Sequence, residues 1–263
     1  MKTLLWALLW VFSFSSHAQT RSEQGHTLSA KPEIKVILPA SYSSEKTKDY
    51  PVIYVLDGKL NAQLVASMLA RLAVSQGERE HIVVGIEPAN RLHDFAPTVN
   101  TDPRGPVGEG GGAPAFIEYL ESELIPEVNS QYRTSGYNTL AGHSIAGLFV
   151  IHAFHSRPTL FQAHLAFSPA LWWSTRATAQ RAEQYVISGI TTPSFLYLNI
   201  GNEAGEMKSV YSGFTNTIAR NRSVDLILQL EEFTDTPHDL TMTAGLYNAL
   251  TGLNQYQQGQ KVH

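Results

Sequence analysis

Three residues far apart in the chain have side chains that could together perform acyl transfer: Ser144, Glu203 and His238. Ser144 lies in the stretch Gly-His-Ser-Ile-Ala-Gly (142–147), with an apolar run before it and another after it. A strand, a sharp turn carrying serine and then a helix is the setting of a nucleophile elbow, where the turn strains the serine backbone and lifts its hydroxyl above the sheet edge. Small neighbours are needed because strand and helix pass close together there. Gly142 fits, and Ala146 stands at the second glycine position of the G-x-S-x-G pattern, with Gly147 following. Capping the helix is the other use of a serine at such a place.

A hydroxyl is a poor nucleophile until a base takes its proton. In this chain order an acid and then a histidine follow the serine, each past the end of a later strand. The stretch FLYLNIGNEAGEM (195–207) supplies Glu203, with Glu206 close behind, and LILQLEEFTDTPHDL (226–240) supplies His238. His143, inside the turn, cannot reach back to its neighbour as an in-line base. His152, His155 and His164 fall on a helix and a strand and read as packing or surface residues, whereas His93 is near enough to the mouth to touch substrate. The developing oxyanion needs backbone N–H donors, one from Ile145 and one from DGKLN (57–61), which follows an early strand. That second donor is Gly58 or Lys59, and Gly58 is favoured for the backbone shapes that glycine adopts freely. The chain has no cysteine, which excludes a thiol nucleophile and Cys-ligated metal. No H-E-x-x-H spacing points to zinc, so neither a metal nor an organic cofactor is expected.

These groups need a scaffold that brings strand ends together. Short β-branched runs at 33–38, 51–56, 81–87, 137–141, 163–168, 194–200 and 224–230 read as strands. Amphipathic or longer segments at 61–73, 113–128, from Ile145, near 177–188, near 208–220 and from Thr241 read as helices. Strand alternating with helix implies an α/β class with right-handed crossovers, a mainly parallel central sheet and helices on both faces. Ligands then bind beyond the carboxyl ends of the strands. The glycine- and proline-rich stretch 100–116 lacks the GK[ST] ending of a phosphate loop and reads as a loop at the active-site mouth.

The first 18 residues read as a secretory signal peptide: Lys2, an apolar core from Leu4 to Phe14, and small residues Ser16 and Ala18 before the cut. The expectation is a periplasmic or secreted protein whose residues 19–263 form one domain. The apolar run is shorter than the roughly 20 residues that span a bilayer, so no stable membrane anchor is expected after cleavage. With 19 basic against 23 acidic residues and no basic run, nothing suggests nucleic-acid binding.

The stretches YPVIYVLDG, RLHDFAPT, GGGAPAFIEYLESELIPEVNSQYRT, LAGHSIAGLF, FSPALWW and GNEAGEM, with a histidine after the final strand, cover most of the remaining chain. Together they resemble the "putative esterase" family of the α/β hydrolases, and within it the members similar to enterochelin and salmochelin esterases, which cleave siderophores. The resemblance implies an α/β-hydrolase fold, carboxylic ester hydrolysis, and a triad falling on Ser144, Glu203 and His238. Some siderophore-cleaving members work with a serine–histidine dyad, so Glu203 and Glu206 stay open at this point. It also implies a small-molecule ester substrate such as a catecholate siderophore lactone. A general short-chain or aromatic acyl esterase, acyl transfer to an alcohol, and a non-catalytic periplasmic binding protein on a hydrolase scaffold are the other readings. Trp172 and Trp173 in SPALWW fall near the mouth as candidate substrate contacts, with core packing as the alternative. Arg91 in RLHDFAPT is either a binder of an anionic acyl or catecholate group or half of an ion pair with Asp94.

Overall fold

The computed structural model describes residue 28 and residues 30–259, apart from 104 and 190; the signal-peptide reading of residues 1–18 lies outside the described residues. Seven strands form one sheet: β1 (Glu33–Ile37), β2 (Tyr50–Leu56), β3 (Ile82–Glu87), β4 (Thr134–His143), β5 (Ala163–Phe167), β6 (Ser194–Ile200) and β7 (Leu226–Glu232). Their order is β1-β3-β2-β4-β5-β6-β7. β1 runs antiparallel to β3 at one edge, and every other pairing is parallel. The helices are α1 (Gly58–Gln76), α2 (Arg91–Phe95), α3 (Ala113–Tyr119), α4 (Ile125–Gln131), α5 (Ile145–Ser156), α6 (Trp173–Ile187), α7 (Gly205–Asn221) and α8 (Thr241–Gly259).

Side chains that alternate along β2 divide between two cores. Tyr50, Val52, Tyr54 and Leu56 pack with α3 to α7 on one face, while Ile53 and Val55 pack with α1 and α8 on the other. Because both faces are covered, β2 and β6 are apolar along nearly their whole length and buried throughout. The α/β architecture expected from the sequence is therefore present.

Relative to the sequence reading, α1 begins three residues early, β7 lies two residues later and α2 is an added helix, while two further departures have a visible local cause. β4 begins three residues before the expected start, because its pairing with β2 is interrupted at Tyr50/Val52, and Gly136 sits there at φ 77°. Such a bulge hides the alternation on which a strand is read. The expected continuous helix over 113–128 is α3, a π-turn at Leu120–Leu124, and α4. Pro126 lacks an N–H and crowds the preceding turn, and the wider π-turn immediately upstream accommodates it.

Parallel pairing puts the carboxyl ends of β2 and β4 to β7 on one rim. The loops that leave those ends carry Asp57, Ser144, Ser168, Glu203 and His238.

Candidate active site

Ser144 stands between β4 and α5 at φ 60° and ψ −117°, a conformation that costs a side-chain-bearing residue free energy. Its backbone holds the shape through three hydrogen bonds. The Ser144 N–H donates to Phe167 O at 2.9 Å, and Ser144 O accepts from Leu148 N at 2.9 Å and Ala170 N at 3.0 Å. The side chain makes no capping bond to α5. Its Oγ instead lies 2.9 Å from His238 Nε2, which favours the elbow over the N-cap. A Cβ on Gly142 would come within 2.6 Å of Ala146 O, so the close passage of strand and helix does require a residue without one. Ala146, fully buried, fits at the second glycine position.

His238 opens a short 3-10 turn after β7, and its Nδ1 is 2.7 Å from Glu203 Oε1. A carboxylate only accepts, so Nδ1 carries the proton, and in the neutral ring Nε2 is left as acceptor for the Ser144 hydroxyl. Glu203 is 8% exposed and His238 30%, so the acid is shielded while the base faces the rim. Glu206 lies on α7 at the surface, and Glu203 is the carboxylate that meets the imidazole.

Four further residues build this arrangement, and sequence reasoning did not single them out for it. Ser168, fully buried at φ 41° after β5, donates its hydroxyl to the same Glu203 oxygen that His238 uses. Burial works to raise the Glu203 carboxyl, but hydrogen bonds from Ser168 and His238 outweigh it and hold the group below its ordinary value. Gly201 lets the loop after β7 close on the end of β6, since a Cβ there would sit 2.3 Å from Thr236 O. His143 donates Nε2–H to His238 O at 2.9 Å, and Thr241 Oγ donates to the same carbonyl at 2.9 Å. Burial, followed by the nearby His238, pushes His143 below the usual imidazole range and keeps it neutral in this role. The only sequence signal for Ser168 was its place in FSPALWW.

Gly58 and Ile145 are each the first residue of a helix, where the N–H has no partner within the helix. Lys59 N donates to Glu87 Oε2 at 2.9 Å, which commits it elsewhere and leaves Gly58 as the candidate donor from this turn. Glycine is needed at 58 for a reason other than the freedom of its backbone. Asp57 carries the left-handed conformation, at φ 53° and ψ 53°. Gly58 is required instead by close approach, because a Cβ would lie 2.5 Å from Ile86 N.

Arg91 pairs with Asp57 and not with Asp94: Nε to Oδ1 is 2.7 Å and Nη2 to Oδ2 is 2.8 Å. Asp94, fully buried, faces His93 Nδ1 at 2.8 Å and accepts from Asn90 N at 3.1 Å. The two tryptophans split. Trp173 is 1% exposed, with its indole N–H given to Thr98 O at 2.9 Å, and burial removes it as a substrate contact. Trp172 is half-buried, ends the segment that leaves β5, and packs within van der Waals reach of Gly105 in the glycine-rich loop. His152 and His164 are buried, as packing residues should be, and burial pushes each down to about 3.

With this geometry in view, comparison places the chain among known proteins. The family model described as "Putative esterase" matches residues 25–229, and the chain belongs to that family. The ferri-bacillibactin esterase BesA of Bacillus subtilis is 31% identical over 192 residues, which are 65% of this chain and 64% of that protein. The chain thus spans somewhat less than two thirds of that relative's length. The siderophore triacetylfusarinine C esterase of Aspergillus fumigatus is 28% identical over 224 residues, 75% of this chain and 74% of the relative. Among solved structures, an IroE-like serine hydrolase from Shewanella oneidensis superposes with a TM-score of 0.80 at 28% identity, covering 85% of this chain and 76% of that one. The fold is that of the α/β hydrolases.

Proposed function

We propose that this member of the esterase family is a serine hydrolase that cleaves carboxylic esters through an acyl-enzyme on Ser144. The observation that carries the reading is the convergence of Ser144 Oγ, the His238 ring and Glu203 at 2.9 and 2.7 Å on a strained elbow. His238 Nε2 takes the hydroxyl proton as Oγ attacks the ester carbonyl. Glu203 holds the ring in the tautomer this requires and stabilises the imidazolium that forms. The tetrahedral oxyanion is met by the N–H groups of Ile145 and Gly58. His238 then returns the proton to the leaving alcohol, and water repeats the cycle to release the acid.

The substrate class we infer is a siderophore ester, in keeping with what the named relatives act on. Trp172, half-buried beside the glycine-rich loop, is the proposed aromatic contact at the mouth. Residues 1–18 are proposed to direct export and to be cut after Ala18, leaving 19–263 as one domain in the periplasm or outside the cell. Among the described residues no helix is long and apolar enough to cross a membrane.

Replacing Ser144 by alanine tests the mechanism: turnover of p-nitrophenyl acetate should fall about 10⁶-fold, the loss found when a serine triad is broken. A variant that keeps most of the activity would end this reading. Incubation with a catecholate trilactone, followed by chromatography, tests the substrate. Linear product should appear at enzyme levels that hydrolyse the simple ester, and an intact trilactone would leave a general acyl esterase.

A further inference from the structure

We propose that Arg91 is a positioning residue for the oxyanion site, a strut that fixes the spacing of the two turns carrying the donor N–H groups. The inference rests on the hydrolase reading above. Gly58 directly follows Asp57, and Ile145 lies two residues beyond His143. Arg91 contacts both upstream neighbours at once. Its Nε and Nη2 hold the Asp57 carboxylate as a two-pronged fork at 2.7 and 2.8 Å, and Nη2 also donates to His143 O at 3.2 Å. The turns leave adjacent strands, β2 and β4, which pair in parallel up to Val55 and Ala141. Beyond that point the strand ladder no longer sets their separation, and Arg91 bridges the gap.

The strut stands on a fixed base. Arg91 begins α2, where the Asn90 side chain accepts from His93 N at 3.2 Å and Asp94 accepts from Asn90 N at 3.1 Å. A planar guanidinium can serve a carboxylate and a carbonyl in one geometry, which a lysine ammonium cannot reproduce. Asp57 is 13% exposed at its side chain and neutralises the Arg91 charge directly. A cation matched in this way is a weak receptor for a substrate anion, the role the sequence suggested, and a strong brace. The donor N–H groups cannot be deleted by side-chain substitution, so Arg91 is the handle by which their placement can be altered. A displacement of about 1 Å at a reacting centre costs up to about 10² in rate.

The experiment compares wild type with Arg91→Gln, Arg91→Lys and Asp57→Asn on p-nitrophenyl acetate, which is neutral, and on a p-nitrophenyl half-ester bearing a free carboxylate. Arg91→Gln should lower kcat about 10- to 100-fold on both esters, with KM within about two-fold, and Arg91→Lys and Asp57→Asn should fall between it and wild type. Affinity for a trifluoromethyl ketone, whose adduct carries the oxyanion, should drop in proportion to kcat; a merely structural role would lower the melting temperature and leave both unchanged. An unaltered kcat on the neutral ester, with KM raised only for the anionic one, would overturn the proposal and make Arg91 a substrate contact. If Arg91→Gln does not fold, wild-type kcat in both Arg91→Lys and Asp57→Asn has the same force. Wild-type protein that neither turns over the esters nor binds the ketone would instead mark failure of the hydrolase reading itself.

Discussion

At the β2–α1 turn Asp57 sits at φ 53° and ψ 53°, and at the β4–α5 turn Ser144 sits at φ 60° and ψ −117°. Both turns put a residue with a side chain where glycine is easiest, and both place a glycine where two backbones pass too close for a Cβ, which would lie 2.5 Å from Ile86 N at Gly58 and 2.6 Å from Ala146 O at Gly142. The difference lies in the use of the side chain. Asp57 turns inward to Arg91, and its left-handed well is one that aspartate tolerates. Ser144 lies outside that well and points its hydroxyl at His238. One turn is held by its own side chain in addition to the backbone bonds that Asp57 O accepts from Leu60 N and Asn61 N. The other is held by its neighbours, through Phe167 O, Leu148 N and Ala170 N, so that its side chain is available for chemistry.

The two turns differ most in how they respond when each of these residues is replaced by glycine. Ser144→Gly should abolish turnover as completely as alanine does, about 10⁶-fold, while relieving strain worth about 1–3 kcal/mol. Against the looser unfolded chain, a net gain of about 1 kcal/mol should appear as a higher melting temperature. Asp57→Gly relieves less strain and strips Arg91 of its partner, so its melting temperature should fall. Equal shifts in the two variants would show that the turns are held alike.

Placing a methyl group at the two contact glycines has a smaller effect. Gly58→Ala and Gly142→Ala each force backbone apart and should cost about 1–3 kcal/mol in denaturant unfolding. Both should also reduce kcat. Wild-type kcat in Gly58→Ala would argue against a donor at that turn.

The smallest effect is expected at Ser168→Ala, which leaves both turns in place and removes one hydrogen bond from Glu203. A carboxyl held below its unfolded value adds stability that is full above that value, 4.5, and is lost as pH falls through the lower folded one. Without the Ser168 hydroxyl the folded value rises, and the acid loss of stability should begin at higher pH. Melting curves between pH 3 and 6 check this, and superposable wild-type and variant profiles would remove Ser168 from the acid's support.

Much of this was legible in the chain. The alternation of β-branched runs with helical segments fixes the α/β class, because each period reports which faces are buried. The elbow could be read because its needs are local: a strand, a turn with small residues and a helix. The partner of Arg91 was not legible in this way. Asp94, three residues on, looked suitable, whereas the actual partner, Asp57, is 34 residues away and meets Arg91 only because the end of β2 faces α2. Trp172 and Trp173 are adjacent and alike in type, so nothing local told which would be buried. Ser168 resembled any strand-end serine until β5 and β6 paired and brought Glu203 beside it.

Local pattern in the chain was enough for the order of the main strands and helices, the residue types at each strand end and the elbow, since these depend on periodicity and on neighbours within a few positions. Tertiary structure alone decided which carboxylate meets the imidazole, what Arg91 holds and what supports Glu203. His238 joins Ser144 across 94 residues and Glu203 across 35, and such contacts exist only once parallel strands are laid side by side with their ends on one rim. Spacing along the chain does not measure distance in space, and the sheet is what converts one into the other.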